Sequence, residues 1–299
     1  MRDLDLSLGG EPHTVGSALR GWTAVLARTG IEGAGGDVRR LMAAVLGALP
    51  AAMLSEPGRV LTGAQLETLC SYVARRANRE PVSRILGWRD FYGRSFGISP
   101  ATLDPRPESE TLIEAALEIA REEGWERPRI LDVGTGSGCL LLTLLCELGN
   151  ARGTGTDISA AALAVARANA GRLGVTQRAS WLRADALETV SGPFHMMVAN
   201  PPYVRTGEIA HLDPEVCNFD PFVSLNGGAD GLALYRRLAP RIPSVVRNGW
   251  AVLEVGFDQA DAVLSLLSRN VDPAGNRVRR DVAGKRRCVA VKTRAGAYA

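Results

Sequence analysis

Between residues 13 and 80 the apolar positions recur at intervals of three and four, as in helices that bury one face. The spacing predicts a helix over about Val15–Arg28, ended by Gly30. A second is expected after Asp37 as N-cap, with Leu41, Val45 and Leu46 on its apolar side and Gly47 at its end. A third starts at Thr62, where Gln65 three residues on makes a capping-box pattern, and buries Leu66, Leu69, Cys70 and Val73. Over residues 81–105 the pattern changes: Trp88, Phe91, Tyr92, Phe96 and Ile98 stand among Gly87, Gly93 and Gly97 and predict a β-hairpin linker. Pro105-Arg106-Pro107 then leads to Ser109 as a helix N-cap and a helix over Glu110–Arg121.

From residue 129 short apolar runs alternate with helical spacing. Strands are predicted at Arg129–Val133, Arg152–Thr156, Ser180–Arg183, Phe194–Ala199 and Trp250–Val255, with helices from about Ser137 and after Ser159. Such alternation implies a mostly parallel sheet covered on both faces. The end differs: Val278–Asp281 and Arg287–Val291, joined by a turn over Val282–Lys285, read as an antiparallel hairpin. The expected architecture is therefore α/β, a seven-stranded Rossmann-like sheet with an antiparallel C-terminal hairpin, preceded by a small helical bundle. Its expected divisions are a helical domain over 1–80 that recognises substrate, a β-hairpin linker over 81–107 and a catalytic domain over 108–299.

Composition narrows the function classes. A 46% hydrophobic, 22% charged chain of 299 residues has an ordinary globular core. The net charge of +3 says little about nucleic acid, and up to residue 80 nine Arg stand against eight Asp or Glu. A nucleic-acid module normally shows a basic face, so direct nucleic-acid binding is not expected, and the helical bundle is expected to contact a protein. Five cysteines without metal-ligand spacing argue against disulfides and a zinc site. The scattered His13, His195 and His211 read as surface or packing residues. No apolar run approaches the roughly 18 residues of a membrane span. The N-terminus, with Asp3, Asp5 and Glu11, lacks a signal-peptide layout, so a cytoplasmic protein is expected.

Two stretches carry candidate chemistry. Asn200-Pro201-Pro202-Tyr203 closes the run Phe194–Ala199, and its prolines stop any ladder and stiffen the backbone around Asn200. Its acceptors can hold a flat NH₂ group, with Tyr203 as an apolar wall, although a Pro-Pro turn can look the same. Asp132-Val133-Gly134-Thr135-Gly136-Ser137-Gly138 runs from a strand through a glycine turn into a helix. Its spacing is GxGxG, not the GxGxxG of dinucleotide enzymes. Asp157 ends the next strand, where a carboxylate can accept from both ribose hydroxyls, and Asp185 ends the third, where it can accept from an adenine amino group. Singly these are common helix caps or turn acids. Together, in order, they outline a nucleoside pocket with no phosphate requirement, which fits S-adenosylmethionine better than NAD.

The chain resembles the HemK/PrmC family, the release factor-specific protein-(glutamine-N5) methyltransferases, which are class I S-adenosylmethionine-dependent enzymes. The resemblance rests on the stretch Ser99–Glu110 with its PRPxxE pattern, the loop Asp132–Gly138, Asn200–Tyr203, Gly227–Leu232 with its GGxDGL pattern, and Arg280–Arg287. It implies cofactor contacts from Asp132, Gly134, Thr135, Gly136, Ser137, Gly138, Asp157, Asp185, Ala186 and Asn200. It implies substrate contacts from Arg106, Asn200, Pro201, Pro202 and Tyr203, with Asn200 catalytic and no metal. The implied partners are class 1 peptide chain release factors, methylated on the glutamine of their Gly-Gly-Gln motif by a monomeric enzyme.

Two positions depart from the family pattern. Ala186 stands where an aromatic often flanks the adenine, and Asp104 stands where an apolar residue is usual. The Arg277–Arg294 segment holds eight Arg or Lys against the single acid Asp281, as a solvated hairpin or a docking surface for an acidic partner. Three rival readings share the NPPY motif or the fold: a glutamine methyltransferase of a ribosomal protein, an N6-adenine or N2-guanine methyltransferase on nucleic acid, and an inactive cofactor-binding adaptor.

Overall fold

Strands whose two faces are both buried read as largely apolar runs, and this chain builds the middle of its sheet from them. A computed structural model describes residues 13–49, 53, 55–268 and 271–294. The acidic N-terminal stretch with Asp3, Asp5 and Glu11 lies outside the described residues. By compactness the chain forms two units, residues up to Gly87 together with Pro214–Phe219, and Trp88–Asp213 together with Asp220 onward.

In the first unit, α1 (Val15–Arg28), α2 (Ala34–Leu46), α3 (Gly63–Ala77) and α4 (Val82–Leu86) share one core. Val15, Ala18, Trp22, Val25 and Leu26 form the buried stripe of α1 and meet Val38, Leu41 and Met42 of α2 and Leu69 and Val73 of α3. Thr62 caps α3 with the reciprocal Gln65 bond expected of a capping box. Asp37 is not an N-cap. α2 begins earlier, after Gly33 at φ 72°. Asp37 sits in its first turn and takes Arg40 and the buried Arg76, each at 2.7 Å. Arg76 also reaches Glu215, at 3.0 Å, as does Arg79 at 2.8 Å, which ties Pro214–Phe219 to these helices.

The second unit starts with the hairpin β1 (Trp88–Phe91) and β2 (Arg94–Gly97). Then come α5 (Glu110–Glu122), β3 (Arg129–Val133), α6 (Cys139–Glu147), β4 (Arg152–Asp157), α7 (Ala160–Arg172), β5 (Ala179–Arg183) and β6 (Phe194–Ala199). After several short helical turns follow β7 (Val246–Glu254), α8 (Ala260–Leu267), β8 (Val271–Arg280) and β9 (Arg286–Thr293). The seven-stranded sheet has the order β5-β4-β3-β6-β7-β9-β8. β3 to β7 pair in parallel and β9 is antiparallel to both neighbours.

Alternation divides its core. Ile130, Met196, Val198, Trp250, Val252, Cys288 and Ala290 face one cluster. Leu131, Val133, Met197, Ala199, Ala251, Leu253, Val289 and Val291 face the other. The hairpin residues Phe91 and Phe96 bury in the first of these, edge to face with centroids 6.2 Å apart.

The C-terminal hairpin begins earlier than expected, at Val271. Pro273 and Gly275 lie within β8, which is the sheet's edge, where a register shift between Asp272 and Arg277 accommodates them. Its cations are largely engaged: Arg277 meets Glu122 at 2.5 Å, Arg279 pairs with Glu118, Lys292 meets Glu123 at 2.6 Å and Arg286 meets Asp261 at 2.6 Å. His195 is a packing residue, its Nδ1 accepting from the Arg129 amide at 3.0 Å and its ring lying edge to face with Trp125. No helix of the described residues is long and apolar enough to cross a membrane.

Candidate active site

The strand order reverses between β3 and β6, and open α/β sheets bind ligands at the strand ends beside such a switch point. Val133 pairs with Ala199 in register. The residues that follow them, Gly134 and Asn200, therefore leave the sheet side by side, and both line one cavity of about 340 Å³. Small-molecule sites typically span roughly 300–1,000 Å³.

The glycine loop is built by its neighbours. Gly134 and Gly136 take positive φ, 71° and 54°, and a Cβ on Gly134 would meet nothing within 4 Å, so its backbone is bare toward the cavity. Asp157 holds the loop, Oδ2 accepting from the Gly136 amide at 2.9 Å and Oδ1 from the Ser159 amide at 2.8 Å. Asp132, fully buried, accepts from the Thr135 hydroxyl at 2.6 Å. Burial pushes its carboxyl up to about 7, against the pull of that hydroxyl. Thr135, Gly136, Ser137 and Asp157 line the cavity, whereas Asp132 and Gly138 stand behind it. Gly138 is a glycine for packing: a Cβ there would lie 3.0 Å from Leu142 and 3.2 Å from Ala166. Asn169, buried on α7, donates to the Ser137 carbonyl at 2.7 Å and to Gly97 of the hairpin at 2.9 Å. A lone Asn on a helix gave no sign of that brace.

Beyond the loop, Asp157 and Ser159 border the cavity with Ile158, and Asp185 and Ala186 close it with Leu234 and Arg237. Asp185 pairs with Arg237 at 2.9 Å. Ile158 and Leu234 line the cavity as well as Ala186.

Of the residues expected to contact substrate, Arg106, Asn200, Pro201 and Pro202 line the same cavity. Arg106 pairs with the buried Asp220, which also accepts from the Asp104 amide at 3.2 Å. Asp104 itself is buried with Arg89 Nε 4.0 Å from its Oδ1, so a carboxylate there faces a cation. Tyr203 does not border the cavity; it lies behind Pro202, its ring packed on the core and its hydroxyl 3.3 Å from Glu254 Oε1. The GGxDGL stretch is shaped to this loop. A Cβ on Gly227 would stand 2.7 Å from the Pro202 carbonyl oxygen, and one on Gly231 2.4 Å from that of Tyr203. Gln259 donates to the same Tyr203 oxygen at 3.0 Å.

Ser109 is not a side-chain cap. Its backbone is already helical, in a 3₁₀ turn over Pro107–Ser109, and its hydroxyl turns inward to Glu254 Oε2 at 2.5 Å. Asn200 Nδ2 donates to that hydroxyl oxygen at 3.2 Å. Burial pushes Glu254 up to about 7, opposed by Ser109, Arg287 and Tyr203. Tyr235 donates to the Glu254 carbonyl at 2.7 Å. Glu254 ends an apolar strand, and nothing in its local pattern marked it. Among the described residues no cluster of His, Cys, Asp or Glu is arranged to hold a metal ion.

The residues present fit a nucleoside-bearing sulfonium. The loop offers bare backbone, Asp157 offers lone pairs beyond those its two amide bonds occupy, and the walls are apolar with few cations.

Residues 17–87 match the family described as "PrmC N-terminal domain", and residues 109–213 match "Methyltransferase small domain". The chain is 43% identical over 267 residues to a release factor glutamine methyltransferase of Rhodospirillum rubrum, covering 89% of this chain and 81% of that protein. It is 40% identical over 282 residues to one of Bradyrhizobium diazoefficiens, covering 94% of this chain and 95% of that protein. Among solved structures, the hMettl16 catalytic domain in complex with MAT2A 3′UTR hairpin 6 superposes with a TM-score of 0.55 at 15% identity, over 75% of this chain and 82% of that one. That likeness is one of fold.

Proposed function

The chain belongs to the release factor glutamine methyltransferase family, and on that premise we propose how its site works and on what. It transfers a methyl group from S-adenosylmethionine to N5 of the glutamine in the Gly-Gly-Gln motif of class 1 release factors. The observation that carries this reading is the Val133–Ala199 register, which sets the glycine loop and Asn200 at one cavity. The fold alone does not choose the substrate, since RNA-acting enzymes share it.

When bound, S-adenosylmethionine supplies an electrophilic methyl group on a positively charged sulfur. The loop Gly134–Ser137 and Asp157 hold the cofactor, with Asp185 and Ala186 at its base end. A carboxamide nitrogen is a poor nucleophile, because its lone pair is delocalised into the carbonyl. The Asn200 side-chain oxygen and the Pro201 carbonyl accept hydrogen bonds from that NH₂ and fix its plane. The rate gain comes from this positioning and from acceptors facing the positive charge that develops on nitrogen. No His or Lys lies in the motif to act as base, and the proton leaves to water after transfer. The enzyme acts as a monomer in the cytoplasm, and Arg106, paired with Asp220, borders the path of the substrate loop.

The test is methyl transfer from labelled cofactor to a purified release factor, to its Gln→Ala variant in the Gly-Gly-Gln motif, and to bulk RNA. Label on the intact release factor alone is expected. Label on RNA alone would overturn the reading.

A further inference from the structure

An ionised carboxylate can only accept hydrogen bonds, and above about pH 7, where Glu254 is ionised, that fixes the direction of a buried chain leading to Asn200. Glu254 and Ser109 are 1% and 3% exposed. The Ser109 hydroxyl has one proton, and at 2.5 Å from Glu254 Oε2 it points there. Its lone pairs are then left to accept, and the group that reaches them is the Asn200 NH₂, at 3.2 Å. An Asn side chain offers its oxygen and nitrogen in nearly the same shape, so a protein that needs one particular edge must select it by its partners. Here the NH₂ edge is spoken for inside the fold, and the oxygen edge is left for the cavity that Asn200 lines. The second Glu254 oxygen takes the Tyr203 hydroxyl, at 3.3 Å, so the carboxylate is held by two hydroxyls, while Tyr235 holds the main-chain carbonyl of the same residue.

We infer that Glu254 is a positioning residue for methyl transfer: through Ser109 it sets the direction of the hydrogen-bond chain so that Asn200 presents its oxygen to the substrate amide. The inference rests on the role proposed above for Asn200. Without the carboxylate the chain can run backwards, with the Ser109 proton turned to the Asn200 oxygen and the Asn200 NH₂ turned to the substrate. Two NH₂ groups then face each other, and the substrate nitrogen loses its acceptor.

Glu254→Gln tests this, because it keeps the shape and removes the one-way acceptor. Turnover of the release factor and cofactor affinity by calorimetry are measured for wild type, Asn200→Ala, Glu254→Gln, Ser109→Ala and the double variant Ser109→Ala/Glu254→Gln. The expected result is a kcat lower by roughly 10- to 100-fold in Glu254→Gln, with cofactor affinity within about threefold of wild type. Because Glu254 acts through Ser109, the double variant is expected to be no slower than Ser109→Ala alone. Turnover of Glu254→Gln within twofold of wild type overturns the inference, as do losses that multiply in the double variant. Loss of cofactor binding along with turnover in Glu254→Gln makes it a packing residue and overturns it too. Full turnover by Asn200→Ala is a separate result, which removes the role of Asn200 on which the inference stands.

Discussion

Val133 and Ala199 are partners in the parallel pairing of β3 with β6, and each is the last residue of its strand. From that one register the chain launches two loops into the same cavity, Gly134–Ser137 on one side and Asn200–Pro202 on the other. The groups proposed for cofactor and for substrate thus depend on separate backbone segments, and their functions are expected to be separable by mutation. Asn200→Ala is expected to lower kcat at least about 100-fold, the scale seen for losing one positioned polar group, while cofactor affinity stays within about threefold. Single-turnover transfer beside calorimetric titration of the cofactor checks the split.

Asp157 does two jobs with one carboxylate. It takes the Gly136 and Ser159 amides, and its remaining lone pairs are the acceptors proposed for the ribose hydroxyls. Asp157→Ala therefore removes a charged acceptor and loosens the loop. Hydrogen bonds to a charged group are worth about 1.5–3 kcal/mol, so cofactor Kd is expected to rise roughly 10- to 150-fold. The drop in kcat at saturating cofactor is expected to be much smaller. A kcat loss with unchanged Kd would contradict the assignment.

What the sequence showed and what it hid follow one physical line. β3, β6 and β7 were legible because burial on both faces writes an apolar run, and Gly134 and Pro201 mark where two of them stop. Thr62 was legible because its capping partner Gln65 is three residues away. Asp37 and Ser109 look like caps in the sequence, but in the fold they serve partners far along the chain, Arg76 and Glu254. A local pattern carries no trace of such pairings. Glu254 was hidden for the same reason, and so was the attachment of Pro214–Phe219 to the helical unit through Arg76 and Arg79. The α/β class, the sheet and the cavity's main lining were readable; the polar scaffolding behind them was not.

Gly231 tests the fit between the GGxDGL stretch and the NPPY loop. It has φ 78°, and a Cβ would stand 2.4 Å from the Tyr203 carbonyl oxygen and 2.3 Å from Gln259 Nε2. Both the left-handed backbone and the contact oppose a side chain. Gly231→Ala is expected to cost about 1–3 kcal/mol of stability and to displace Tyr203, lowering kcat beyond what lost folded protein explains. Gly58→Ala is the control, since its Cβ would meet nothing within 4 Å and its φ is not positive. Thermal unfolding and turnover per folded molecule separate the two effects.

Asp132 makes stability depend on pH in a direction opposite to that of a paired surface acid. Burial raises it from an ordinary value of 3.8 to about 7 in the folded chain. Between those values the folded state holds a proton that the unfolded state has lost, so this group's contribution is full below about pH 4 and disappears as pH rises through about 7. Glu254 acts in the same sense. His195 acts in the opposite sense near its ordinary value of 6.5, because burial, with Arg129 beside it, lowers its affinity for a proton. Comparing wild type with Asp132→Asn cancels both of these other groups. The variant keeps an oxygen for the Thr135 hydroxyl but has no proton to lose. Wild-type Tm is expected to fall more steeply than that of Asp132→Asn between about pH 4 and about pH 7 in thermal unfolding. Parallel curves for the two proteins would mean that Asp132 is ionised in the folded chain throughout that range, and that the Thr135 hydroxyl and the Leu141 amide, not a retained proton, stabilise it.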